Sequence, residues 1–188
     1  MPFFRSLSEK AGPPNVFKAY PDLYRLWSEM SEILMNGPSP LSQAERELLF
    51  AYTAGVAGCA FVYIAHSEVA HAWGVEEGLV EKLVADLDGT PVDPKMKPLL
   101  AFVRKLTLSS SNMTQADADA VFDAGWDEKA LHDAIAVTGR MRYMQCIAEG
   151  YGFTPMTKDV ARHHAERRVK LGYVYLYPMF GGKTETSS

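Results

Sequence analysis

Apolar positions along the chain recur mostly every three or four residues, the period of one buried helix stripe. From Pro21 the pattern runs through Leu23, Leu26, Trp27, Met30, Ile33 and Leu34, until Asn36-Gly37-Pro38-Ser39-Pro40 stops it. Ser42 and Glu45 form an S-x-x-E capping box that starts the next helix, through Leu48, Leu49 and Tyr52 to about Val56. Gly55 and Gly58 flank an expected break, and a further helix carries Cys59 to Trp73 and closes at Gly74. Glu76 to Asp86 reads as a short helix ended by Asp88-Gly89-Thr90-Pro91, and Pro94 to Leu108 as another. Thr114 caps a stretch to Ala124, Asp127 a long one to about Glu149, and Lys158 to Leu171 is the last helix. Only the tail Tyr173-Val174-Tyr175-Leu176-Tyr177 has β character, and residues 181–188 are expected to fray. The prediction is an all-α bundle, a single structural domain. It has an N-terminal helical arm over 1–40, a core over 41–153 and a C-terminal helix and tail over 154–188.

Composition narrows the class. The 188 residues carry 19 Lys+Arg against 23 Asp+Glu, a net charge of −4, with 47% hydrophobic and 22% charged residues. Those are globular values, and the mild acidity argues against nucleic acid as a partner. No apolar run approaches the roughly 20 residues of a membrane helix. Met1-Pro2-Phe3-Phe4-Arg5-Ser6 lacks the apolar core of a signal peptide, and two cysteines do not make a secreted disulfide scaffold. A cytoplasmic protein without a membrane partner is the expectation.

The candidate chemistry lies between Ser42 and Trp73. Cys59 and His66 are seven residues apart, about two helical turns or 10 Å, so they share a face if that helix is continuous. An imidazole beside a thiol can take its proton and generate thiolate. Glu47 lies on the preceding helix; in a helical hairpin its carboxylate could orient His66 and raise its basicity. The plainer alternative is a core cysteine between Gly58 and Ala60 and an exposed glutamate paired with an arginine.

Other groups carry less. His66 and His71 sit about 140° apart around a helix, His163 and His164 point apart, and His132 follows a cap, so no metal or cofactor site is expected. Arg140 and Arg142, in an otherwise apolar helix, could hold an anionic substrate or pair with a carboxylate of a neighbouring helix. Arg162, Arg167, Arg168 and Lys170 read as a solvated face. Aromatic residues crowd both arms: Phe17, Tyr20, Tyr24 and Trp27 at one end, Tyr173, Tyr175, Tyr177 and Phe180 at the other. Packing against a second subunit would cover them, so a homo-oligomer is expected.

Leu41-Ser42-Gln43-Ala44-Glu45-Arg46-Glu47-Leu48, then Gly58-Cys59 and Ala65-His66-Ser67, resemble the alkylhydroperoxidase D and carboxymuconolactone decarboxylase superfamily. Its peroxidase-related branch has a glutamate, eleven residues, then C-x-x-C-x-x-x-H, the register of Glu47, Cys59 and His66. Leu99 to Thr107 and Gly125-Trp126-Asp127-Glu128 look like later family segments, so the resemblance spans roughly Leu41 to Gly152. It implies an all-α fold and a homo-oligomer. It also implies two departures. The second cysteine of the motif, taken as the peroxide-attacking thiol in redox-active members, falls at Val62, so the two-cysteine cycle cannot run here. Cys146 stands where family members often have an arginine, and a bridge to Cys59 would need Cα atoms within about 7 Å.

Three functional readings follow. In the first, a single thiol, Cys59, reduces hydroperoxides with His66 as base, Glu47 orienting it and an external thiol as reductant. In the second, resembling the decarboxylase branch, Glu47 or His66 moves protons on a small carboxylate or lactone held by an arginine. In the third the fold serves as a non-enzymatic binding or assembly module.

Overall fold

The apolar stripes fold as helices in the computed structural model, which describes residues 2–180, although Leu23, Leu26, Met30 and Ile33, expected in a buried stripe, lie exposed. In chain order they are α1 (Pro13–Ala19), α2 (Pro21–Asn36), α3 (Gln43–Val56), α4 (Ala60–Ala72), α5 (Leu79–Ala85), α6 (Met96–Ser109), α7 (Gln115–Asp123), α8 (Glu128–Gly150) and α9 (Lys158–Leu171). A 3-10 turn, Ser110–Asn112, follows α6. No strand occurs among the described residues, so the fold is all-α as the periodicity predicts. Periodicity gave no signal for α1, a seven-residue helix opened by Pro13-Pro14. The tail at Tyr173 to Tyr177 is a series of turns rather than a strand, its Tyr173 and Leu176 buried. The expected fraying of 181–188 lies outside the described residues. No described helix is long and apolar enough to cross a membrane.

Helix α3 is the centre of the bundle, buried without interruption from Arg46 to Ala54. Its start is fixed twice. The Ser42 hydroxyl accepts from the Glu45 amide at 3.2 Å, and the Glu45 carboxylate accepts from the Ser42 amide at 2.7 Å. Buried Arg46 then donates from Nη1 to the carbonyls of Leu34 (2.8 Å) and Gly37 (2.9 Å), satisfying groups that the end of α2 leaves open. The next residue, Glu47, is thereby pinned at the middle of the core.

Helix α4 folds back on α3 through Gly58, whose φ of +73° an L side chain rarely adopts. The hairpin is tight because Gly55 lacks a β-carbon, which would stand 2.6 Å from a Val84 methyl and 3.1 Å from the Tyr63 ring. Helix α9 lies on α4 through Ala161 and Ala165, and Arg162 Nε donates to the buried Glu68 of α4 at 3.0 Å.

The core has two parts. One gathers α3 to α8, with Leu49, Phe50, Tyr52, Leu99, Leu100 and Met141 buried. The other joins the two ends of the chain: Ala11, Val16, Phe17 and Tyr24 meet Phe153 and Phe180. Phe17 stacks on Tyr24 at 4.3 Å and meets Tyr177 edge-on at 5.0 Å. The aromatic arms predicted to need cover thus partly cover each other.

Candidate active site

The α3/α4 hairpin brings Glu47 and His66 together. Their Oε2 and Nδ1 atoms are 2.7 Å apart, and both side chains are buried. The Tyr173 hydroxyl, from the turn after α9, donates to the other carboxylate oxygen. Phe50, one helical turn beyond Glu47, packs its ring 4.0 Å from the imidazole. Both oxygens of Glu47 are therefore occupied by donors.

Burial works against the charge of Glu47, but the imidazole and the Tyr173 hydroxyl outweigh it and hold the carboxyl below the ordinary range. Burial pushes the His66 imidazole down to about 4, against the pull of Glu47, while Arg168 and Arg140 push the same way as burial. At neutral pH the pair is a carboxylate and a neutral imidazole. With Nδ1–H donated to Glu47, the lone pair sits on Nε2, which has no hydrogen-bond partner among the described residues.

His66 lines a cavity of about 530 Å³. Its floor is Val62, Ala65, His66 and Val69 of α4; its roof comes from both chain ends, including Phe17, Trp27, Met156, Leu176 and Met179. The wall is mostly apolar, yet it carries Lys10, Arg140, Arg167 and Arg168 and, among the described residues, no aspartate or glutamate.

Cys59 lies elsewhere. It caps α4 from outside the helix and faces a separate depression of about 250 Å³ beside Gly55, Tyr63 and Val84. The shared face of Cys59 and His66 depends on one continuous helix; Cys59 is instead the N-cap residue, since the chain turns at Gly58 and α4 begins at Ala60. Burial pushes the thiol up to about 11, and Glu149 pushes the same way. The position one turn before His66 on the cavity side is Val62. Cys59 and exposed Cys146 are both free thiols.

Three contributors escaped sequence reasoning. Tyr173 sat in an aromatic run with no helical period to mark it. Arg168, read as part of a solvated face, is half-buried with its guanidinium carbon 4.7 Å from the Tyr173 ring centre. Ser31 accepts from Arg140 Nε at 2.9 Å across the gap between α2 and α8. Arg142 is exposed and bonds Gln145. Among the described residues no group of three or more His, Cys, Asp or Glu is placed to hold a metal ion.

No protein-family model and no curated protein matches the chain. Solved structures do. An uncharacterized peroxidase-related protein from Silicibacter sp. TM1040 is 26% identical, with a TM-score of 0.70 over 77% of each chain. A protein from Ralstonia eutropha JMP134, described as an alkylhydroperoxidase AhpD core and also as uncharacterized and peroxidase-related, is 19% identical. Its TM-score is 0.71 over 80% of this chain and 78% of its own. An Agrobacterium tumefaciens protein of unknown function, named as a candidate antioxidant defence protein AhpD, is 16% identical, with a TM-score of 0.64 over 76% and 97%. The fold is thus that of AhpD-like, peroxidase-related proteins.

Proposed function

We propose that this protein is an acid–base enzyme, with His66 moving a proton on a small organic molecule held in the cavity. The observation that carries the reading is the buried Glu47–His66 pair with a free Nε2 at the cavity wall. In this reading Nε2 takes a proton from an acidic C–H or O–H of the substrate, whose electron pair stays on the substrate as an enolate or alkoxide. The imidazolium so formed keeps its Nδ1–H on the Glu47 carboxylate, which offsets the new charge, and then returns the proton to the product. Tyr173 keeps the carboxylate in place and ionised.

The test is solvent exchange. Wild type, His66→Asn, Glu47→Gln and Cys59→Ala are incubated in D₂O with a panel of small ketones, lactones and carboxylic acids, and C–H loss is followed by proton NMR. Exchange that needs His66, weakens without Glu47 and ignores Cys59 is expected. Exchange in no member of the panel, or exchange that persists in His66→Asn, overturns the reading.

A second reading has the fold likeness to peroxidase-related proteins behind it. In it Cys59 attacks a hydroperoxide, giving sulfenic acid and an alcohol, and an external thiol restores the cysteine. Intact-mass detection of a trapped sulfenic acid after stoichiometric hydroperoxide tests it. Fast trapping at Cys59 that slows in His66→Ala would replace the acid–base reading. The burial and raised pKa of Cys59 favour slow, His66-independent labelling.

A further inference from the structure

The cavity contains more positive charge than its chemistry so far uses. Arg140, at mid-α8, is 5% exposed. Its Nε donates to Ser31, but its Nη1 is buried without a hydrogen-bond partner. No carboxylate among the described residues lies within ion-pair distance of Arg140 or Arg168. The carboxylate that the field of Arg140 does feel, Glu47, already has both oxygens committed to His66 and Tyr173. A second orphan stands on the same wall. The Ser28 hydroxyl, one helical turn before Ser31, is buried and unpartnered, and Ser28 also lines the cavity.

Aromatic rings account for part of this. The Arg140 guanidinium carbon sits 4.4 Å from the Tyr173 ring centre, 4.6 Å from Phe50 and 5.7 Å from Trp27. Ring faces offset a cation's lost hydration, but they do not occupy the in-plane N–H donors of a guanidinium. Buried donors without acceptors are rare in folded proteins, and two on one cavity wall with no carboxylate among its described residues point to an absent acceptor.

We infer that Arg140 and Ser28, with Arg168 beside them, form a subsite for the carboxylate of a small organic acid, whose apolar remainder lies along Val62, Val69 and Leu176. A guanidinium edge and a hydroxyl supply one donor to each oxygen of a planar carboxylate. Phe50 packs on both Arg140 and His66, so the bound carboxylate is held close to the free Nε2. As a statement about what His66 acts on, this rests on the acid–base reading; as a statement about binding it does not.

The experiment measures binding, apart from turnover. Hexanoate, 4-phenylbutanoate and 2-naphthylacetate are titrated calorimetrically against wild type, each beside its uncharged primary amide and beside inorganic phosphate. At least one acid should bind about tenfold or more tightly than its amide, the worth of hydrogen bonds to a charged group. That preference should vanish in Arg140→Gln and shrink in Ser28→Ala and Arg168→Gln. Should Arg140→Gln fail to fold, Ser28→Ala and Arg168→Gln decide the matter alone. Equal binding of acid and amide, no binding by any acid, a preference untouched by these substitutions, or phosphate outcompeting every acid overturns the subsite. Acid binding that tracks Arg140, with no His66-dependent exchange in D₂O, would leave the subsite standing and remove the acid–base reading.

Discussion

Replacing Tyr173 with phenylalanine removes one oxygen atom and isolates what that oxygen does. The phenol is buried, and its O–H donates to Glu47 Oε1. Glu47 is 1% exposed, so no solvent stands ready to replace the lost donor. A hydrogen bond to a charged group contributes about 1.5–3 kcal/mol. For a chain of this size that corresponds to a fall in Tm of about 3–12 °C. Ring packing against Arg140 and Arg168 survives in phenylalanine, so the loss reports the hydroxyl. The assay is urea unfolding at pH 7, followed by circular dichroism at one protomer concentration so that mass action adds nothing. In a Glu47→Gln background the bond becomes a neutral one, and the same substitution should cost about 0.5–1.5 kcal/mol. The difference should also fade with acid. A carboxyl whose folded pKa is depressed contributes stability above its unfolded value of 4.5, and that stability is lost as pH falls through the folded value. Tyr173→Phe removes part of the depression, so wild type and variant converge on acidification. Losses equal within about 0.5 kcal/mol in both backgrounds would show two uncoupled sites and refute the reasoning.

Three further outcomes follow from the same geometry. His66 is pushed from 6.5 to about 4, so the unfolded chain takes up its proton first. This contribution, about 3 kcal/mol, is complete above about pH 6.5 and lost as pH falls toward 4. Between pH 7 and 4 the urea midpoint of wild type should therefore drop more steeply than that of His66→Asn, and parallel slopes would count against a buried neutral imidazole. Thiol reagents on the native protein should modify exposed Cys146 long before Cys59, while Val62→Cys should add a cavity thiol that reacts with hydroperoxide faster than Cys59; peptide mapping of a time course would reveal the reverse order if Cys59 is open. Leu23, Leu26, Met30 and Ile33 form one exposed stripe on α2, which is where the expected second copy should dock. Light scattering should then report an oligomer for wild type and a monomer for Leu26→Glu combined with Ile33→Glu; a monomeric wild type at micromolar concentration would end that expectation.

The helices were legible because each carries its own period and stop signals. Ser42 and Glu45 cap α3 as the S-x-x-E pattern says, and Asp127 caps α8 by accepting from the Ala130 amide at 2.8 Å. The Glu47–His66 meeting followed from a helical hairpin, which Gly58 supplies. What the sequence could not express is which face a residue outside a helix takes. Spacing treats Cys59 as two turns from His66, but a left-handed turn at Gly58 places it before the helix, on another side of the hairpin. Tyr173 was illegible for a different reason: its partner is 126 residues away, and no local pattern encodes so distant a contact. Arg168 was misread because a helix with four basic residues near its end looks solvated until the segment after it folds back and covers one of them.

The cavity is assembled from two separable stretches of inheritance. The hairpin of α3 and α4 supplies the floor and the Glu47–His66 pair, whereas the roof is written in the first thirty or so residues and the last thirty or so. Substitutions confined to the two ends would reshape the space beside His66 and leave the Glu47–His66 contact in place, so long as Tyr173 is kept. The same division bears on handling. A truncation at either end would remove part of the roof and open the cavity to solvent.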